Sequence, residues 1–115
     1  MQLEKGDVSK AAEMAYAAMH HAALALLKFR GAGFPENSAS VVSRFRSLFY
    51  DTQLFFDPFV GGKFAQYYFQ AYERAGKPYD EESAHQLIEE AQLFIEASHS
   101  CYAKMLAEPA AVTHV

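Results

Sequence analysis

Residues Val8, Ala12, Ala15, Met19, Ala22, Leu26 and Phe29 follow one another at alternating steps of four and three, the spacing that puts apolar side chains on one stripe of an α-helix. A stripe this long has to be covered. Alanine supplies much of it, so a partner helix can approach closely, while Tyr16, Met19, Leu26 and Phe29 provide volume to fill the contact. The same spacing returns near the end of the chain in Leu87, Ala91, Phe94, Ser98, Cys101 and Met105, with Ile88, Ile95 and Tyr102 beside them at intervals of seven. Two long helices with matching seams predict an antiparallel core and an all-α fold.

Between these rods the sequence marks its own punctuation. Asp7 or Ser9 is placed to cap the first helix, and Arg30-Gly31-Ala32-Gly33 to end it. Phe34-Pro35-Glu36-Asn37 reads as a turn. Asn37 or Ser38 then caps a short second helix with Val41, Val42, Phe45, Leu48 and Phe49 inward and Arg44 and Arg46 outward, solvating that face or meeting a phosphate. Pro58 and Gly61-Gly62 break the pattern into a loop with aromatic anchors. A third helix from about Lys63 to Ala75 carries Phe64, Tyr68, Ala71 and Ala75 on one stripe and stops at Gly76. Lys77-Pro78-Tyr79 is a rigid connection, because the residue before proline disfavours the α conformation, and Asp80 caps the last helix, from about Glu81 to Leu106. The expectation is an antiparallel up-and-down bundle of four main helices in a single domain, 1–115, ordered over about 7–107 with a flexible tail at 108–115.

Composition narrows the classes of function. Of 115 residues 51% are hydrophobic, enough for one real core, and the net charge of −4 gives no global attraction to nucleic acid or anionic lipid. The charge is uneven, however: residues 28–77 hold seven of the ten basic side chains, whereas Asp80 to Glu108 hold seven acids and only Lys104. That polarity helps helices pack in a fixed order. A polar N-terminus, no long apolar run and a single cysteine point to a soluble cytoplasmic protein.

Several chemistries can be tested by spacing. Glu82-x-x-His85 and Glu96-x-x-His99 resemble the ligand pairs of dimetal bundles, yet they lie on one helix roughly 21 Å apart at about 1.5 Å per residue, so no metal or other cofactor is implied. His20 and His21 point about 100° apart, so at most one faces inward; His21, at the edge of the seam, is either a hydrogen-bonded interior histidine or a pocket-lining one. Cys101 falls on the buried seam and reads as core rather than nucleophile. The best candidate site is Arg74-Ala-Gly-Lys77-Pro-Tyr79-Asp80, where a guanidinium, an ammonium and a phenol gather between one helix end and the next helix start. It suits a phosphate or a stacked base, although Arg74 also suits the negative end of its own helix.

The block GDVSKAAEMAYAAMHHAALALLKFRG resembles the second helix of the HEPN domains of prokaryotes, with Ala15, Tyr16, Ala18, His21, Ala22, Ala23 and Leu27 in place. Asn37 to Phe45 is similar to that family's next helix, with Ser38 and Ser40 where histidine and glycine are usual, and Arg74 through Asp80 with Gln86 to Ala91 completes a likeness spanning about Gly6 to Leu106. The resemblance implies a helical bundle that commonly dimerises, often beside a minimal nucleotidyltransferase, and in many members an RNA-cutting toxin whose arginine is followed four to six residues later by histidine. Here Tyr79 stands in the histidine slot, and a phenol with a pKa near 10 is a poor base at neutral pH. The expectation is therefore a non-catalytic module binding RNA, a nucleotide or a nucleotidyltransferase through Arg74, Lys77, Tyr79 and His21. The alternatives are a metal-independent ribonuclease using Arg74 with Tyr79 or Asp80, and a purely structural adaptor. Only MQLEK stands where the family places its first helix, so a homodimer partner or another protein is expected over the resulting gap.

Overall fold

The computed structural model of the chain describes residues 5–31 and 37–107. Four α-helices account for most of it: α1, Lys5–Phe29; α2, Ser38–Phe45; α3, Lys63–Arg74; and α4, Glu81–Ala107. The all-α bundle is as expected; the turn at 34–36, Gly33 and the tail at 108–115 lie outside the described residues. Among the described residues, no helix is long and apolar enough to cross a membrane.

Helix boundaries follow local chemistry. Helix α1 begins at Lys5, before either expected cap, Asp7 or Ser9, so Asp7 sits in its first turn, where a carboxylate favours the positive end of the dipole. At the other end Gly31 takes φ +78° and its N–H donates to the Lys28 carbonyl at 3.0 Å. Asn37 caps α2: its Oδ1 accepts from the Ser40 N–H at 2.9 Å. Beyond Phe45 the helix widens into a π turn, Arg46–Tyr50, closed by the Asp51 N–H donating to the Arg46 carbonyl at 2.8 Å. That widening turns Leu48 outward, against its expected inward position, while Phe45 and Phe49 stay buried and stack at 5.2 Å.

Phe45 is the hub of the core. Its ring meets those of Phe55, Tyr68, Phe69 and Phe94 at centroid distances of 5.3, 5.6, 6.1 and 5.7 Å. Each large side chain so buried contributes about 1.5–3 kcal/mol by transfer from water, and well-placed ring pairs add about 0.5–1.5 kcal/mol. All six α4 seam residues are buried, Ser98 by turning its hydroxyl to the Phe94 carbonyl at 2.9 Å. The α1 seam is rotated from its expected line: Val8, Ala12, Met19 and Leu26 are buried together with Ala23 and Leu27, whereas Ala15 and Ala22 are half-buried and Phe29 is exposed. In α3 Tyr68 and Ala71 are buried as expected, with Ala65 and Phe69 in place of Phe64 and Ala75.

The pairing of α1 with α4 is the most extensive in the molecule, but the two rods run parallel, not antiparallel. Ala11 to Ala18 lie beside Ile88 to Ile95, and further along Phe29 meets Tyr102 at 4.8 Å. The reason is topological. Helix α3 runs against α1, its end at Ala71 beside Ser9 and Ala12 and Tyr68 bonded to His20, so α3 descends and α4 ascends again beside α1. Helices α2 and α3 cover one side of the α1/α4 pair, and the molecule measures 53 × 32 × 19 Å, its thinnest dimension about two helix diameters.

The loop joining the π turn to α3 is closed on itself. Asp57 and Gly61 exchange backbone hydrogen bonds at 3.0 and 2.8 Å, and Asp57 Oδ1 accepts from the N–H groups of Phe59 and Val60. Phe55 anchors the loop in the core; Phe59, 92% exposed, stands in solvent.

Candidate functional site

The connection from α3 to α4 is shaped by proline and glycine. Gly76 takes φ +90°, which a side chain would disfavour, and the Lys77 N–H donates to the Arg74 carbonyl at 3.0 Å, turning the chain so that Pro78 and Tyr79 fold back over the end of α3. Arg74 lies over Tyr79, its guanidinium carbon 4.2 Å from the ring centroid, and its Nη2 donates to the Pro78 carbonyl at 3.2 Å. Asp80 caps α4, its Oδ1 accepting from the Ser83 N–H at 2.7 Å and its carbonyl from the Ala84 N–H at 3.0 Å. The Ser83 N–H holds the Asp80 carboxyl below the usual range, helped by Arg74. Burial pushes the Tyr79 phenol up, with Arg74 opposing and Glu90 adding to the rise.

Arg74, Lys77, Tyr79 and Asp80 are thus brought together, but not in equal roles. Asp80 is committed to its cap and Arg74 to its stack on Tyr79. Lys77 is exposed, and Tyr79 is half-buried and lines a cleft of about 290 Å³. The opposite wall of that cleft comes from α1: Ser9, Glu13 and Tyr16, spaced by four and three along one side of the helix. A second, smaller hollow on the Arg74 side of Tyr79 is lined by Gln70, Gln86 and Glu90, with the Gln86 amide donating to Glu90 at 3.0 Å.

His21 does not belong to this site. It is exposed on α1, roughly 18 Å along the helix from Ser9 at about 1.5 Å per residue. Its neighbour His20 is the inward histidine, sharing a 2.9 Å hydrogen bond between Nδ1 and the hydroxyl of Tyr68. Burial lowers the His20 pKa, with the charge of His21 adding to the effect, and burial pushes the Tyr68 phenol well above its ordinary value, with Tyr16 and Tyr72 contributing. Arg46, one of two arginines placed on the outer face of α2, covers the Phe69 ring at 4.1 Å and so seals the core. Cys101 is buried, its thiol 3.6 Å from the Leu54 carbonyl.

Sequence reasoning missed Ser9, Glu13 and Tyr16. Their four-three spacing was the available signal, a polar stripe next to an apolar one. Among the described residues no group of three or more His, Cys, Asp or Glu side chains is placed to hold a metal ion. Comparison with family models, curated proteins and solved structures finds no match.

Proposed function

We propose that this chain is a HEPN-like, non-catalytic helical module that acts as a homodimer and binds a ribonucleotide unit, free or within single-stranded RNA, in the cleft between α1 and the Arg74–Asp80 connection. The observation that carries the reading is the ring of Tyr79, held by Arg74 and lining a cleft that Lys77, Ser9 and Glu13 border. A ring fixed in this way stacks a base without first losing rotamer freedom, a contribution of about 1–3 kcal/mol per base. Lys77 supplies the phosphate contact, and the Ser9 hydroxyl and the Glu13 carboxylate supply a donor and an acceptor for a base edge. A raised phenol pKa and a carboxylate already used as a cap leave Tyr79 and Asp80 ill suited to take a proton from a ribose hydroxyl, which favours binding over cleavage. A nucleotidyltransferase remains the partner that the sequence resemblance implies.

Fluorescence anisotropy with labelled single-stranded RNA, and calorimetry with AMP, test this. Binding that weakens with salt and falls at least tenfold in Lys77→Glu is the expected result. Unchanged binding in that variant, or none in the wild type, refutes it. Cleavage of structured RNA in the presence of chelator, lost in Arg74→Ala, would replace it with the ribonuclease reading, and copurification with a nucleotidyltransferase without RNA binding would make the chain an adaptor.

A further inference from the structure

The side of the α1/α4 pair that faces away from α2 and α3 carries a second seam. On α4 it is Ile88, Gln92, Ile95, His99, Tyr102 and Leu106, again at steps of four and three; on α1 it is Ala11, Ala15, Ala18, Ala22, Ala25 and Phe29. The two strips meet in an almost wholly apolar groove lined by Ala11, Met14, Ala18, Ile88 and Ile95, and Met14 and Leu106 are 63% and 59% exposed. A helix pair apolar on two sides has been built to be covered on both.

We infer that a second copy of this chain covers this groove, the isoleucine ridge of each α4 lying along the alanine trough of the other copy's α1. The inference deepens the homodimer reading given above by naming its surface. Three features select a second copy over an unrelated protein. First, trough and ridge lie side by side on one face, so a two-fold axis along the helices sets large residues against small ones twice over, the arrangement that fills a helical interface without voids. Second, the outer flank of α1 carries Lys10, His21 and Lys28 and that of α4 carries Glu89 and Glu96, and the same axis brings the basic flank of one copy to the acidic flank of the other. Third, the strip from Ala11 to Phe29 is about 27 Å long and two helices wide. Its footprint buries roughly 1,100 Å² over both copies, just below the ~1,200–2,000 Å² of stable interfaces. The dimer therefore dissociates on dilution.

Sedimentation velocity across the micromolar range tests this with the wild type, with Met14→Glu/Ala25→Glu, and with Phe59→Ser as a control on the exposed loop. Expected are a concentration-dependent dimer for the wild type and the control, and at least a tenfold weaker dimer for the double variant with its helical circular dichroism unchanged. A monomer at every concentration, a dimer indifferent to the double variant, or a monomer that only a different protein converts to a complex would overturn the inference. The two readings fail separately: Lys77→Glu should lose RNA and keep the dimer, and the double variant should lose the dimer while RNA binding reports on the cleft alone.

Discussion

Replacing Tyr68 by phenylalanine removes one oxygen atom from a fully buried side chain and tests what the His20 contact is worth. A hydrogen bond of this kind has a net value of about 0.5–1.5 kcal/mol. Because His20 is half-buried, its ring nitrogen can return to water when the phenol is gone, so Tyr68→Phe should cost only about 1 kcal/mol. The reverse change is not equivalent. In His20→Ala the Tyr68 hydroxyl, on a side chain 0% exposed in the native fold, loses that partner, and a stranded buried donor costs about 1–3 kcal/mol, to which lost ring contacts with Tyr16 and Tyr68 add. The double variant should therefore be less destabilised than the sum of the singles by about 1–2 kcal/mol. Urea unfolding followed by far-UV circular dichroism measures all three. Protonation gives a second readout. The folded-state pKa of His20 is lowered, so as pH falls through about 6.5 the unfolded chain takes up the proton first and stability declines until the folded value is passed; above that window the contribution is complete. His20→Ala should flatten this slope. A Tyr68→Phe cost exceeding that of His20→Ala, or additive singles, would refute the reasoning.

Four further outcomes follow from local geometry. Asn37→Ala removes the Oδ1 that accepts from the Ser40 N–H and should cost about 1 kcal/mol in the same unfolding assay. Phe94→Ala, at 0% exposure among Phe45, Phe55 and Tyr68, should cost about 3–5 kcal/mol, and Met19→Asp should abolish cooperative thermal unfolding by burying an unpaired charge. Gly62→Ala places a Cβ 2.6 Å from Cε1 of Tyr50, a ring fixed by Gln66 on its hydroxyl and by Phe69 on its face; a loss of about 1–3 kcal/mol is expected, relieved in Gly62→Ala/Tyr50→Leu.

What could be read in advance divides along side-chain size. The α4 seam was legible because Leu87, Phe94 and Met105 contrast sharply with the glutamates and glutamines around them. In α1 alanines surround the helix on every side, and alanine marks a face only weakly. A seam set by spacing alone therefore falls between two apolar strips, with Phe29 inward, Leu27 outside it and His21 favoured over His20. Helix direction was also out of reach, since matching seams fit parallel and antiparallel rods alike. At the site, the residues between Arg74 and Asp80 were found because Gly76 and Pro78 set them apart. The α1 wall was not, because its proximity depends on that same parallel packing.

The π turn at Arg46–Tyr50 makes chain length itself a constraint. Deleting any one residue there would let ordinary helical bonding close, yet would rotate whatever follows by about 100°, carrying Tyr50 off Phe69 and dragging Phe55 from its seat beside Phe94. Descendants of this sequence should thus vary here in letters, not in spacing. An alignment gap across these five positions would signal a differently folded protein sooner than many replaced side chains elsewhere.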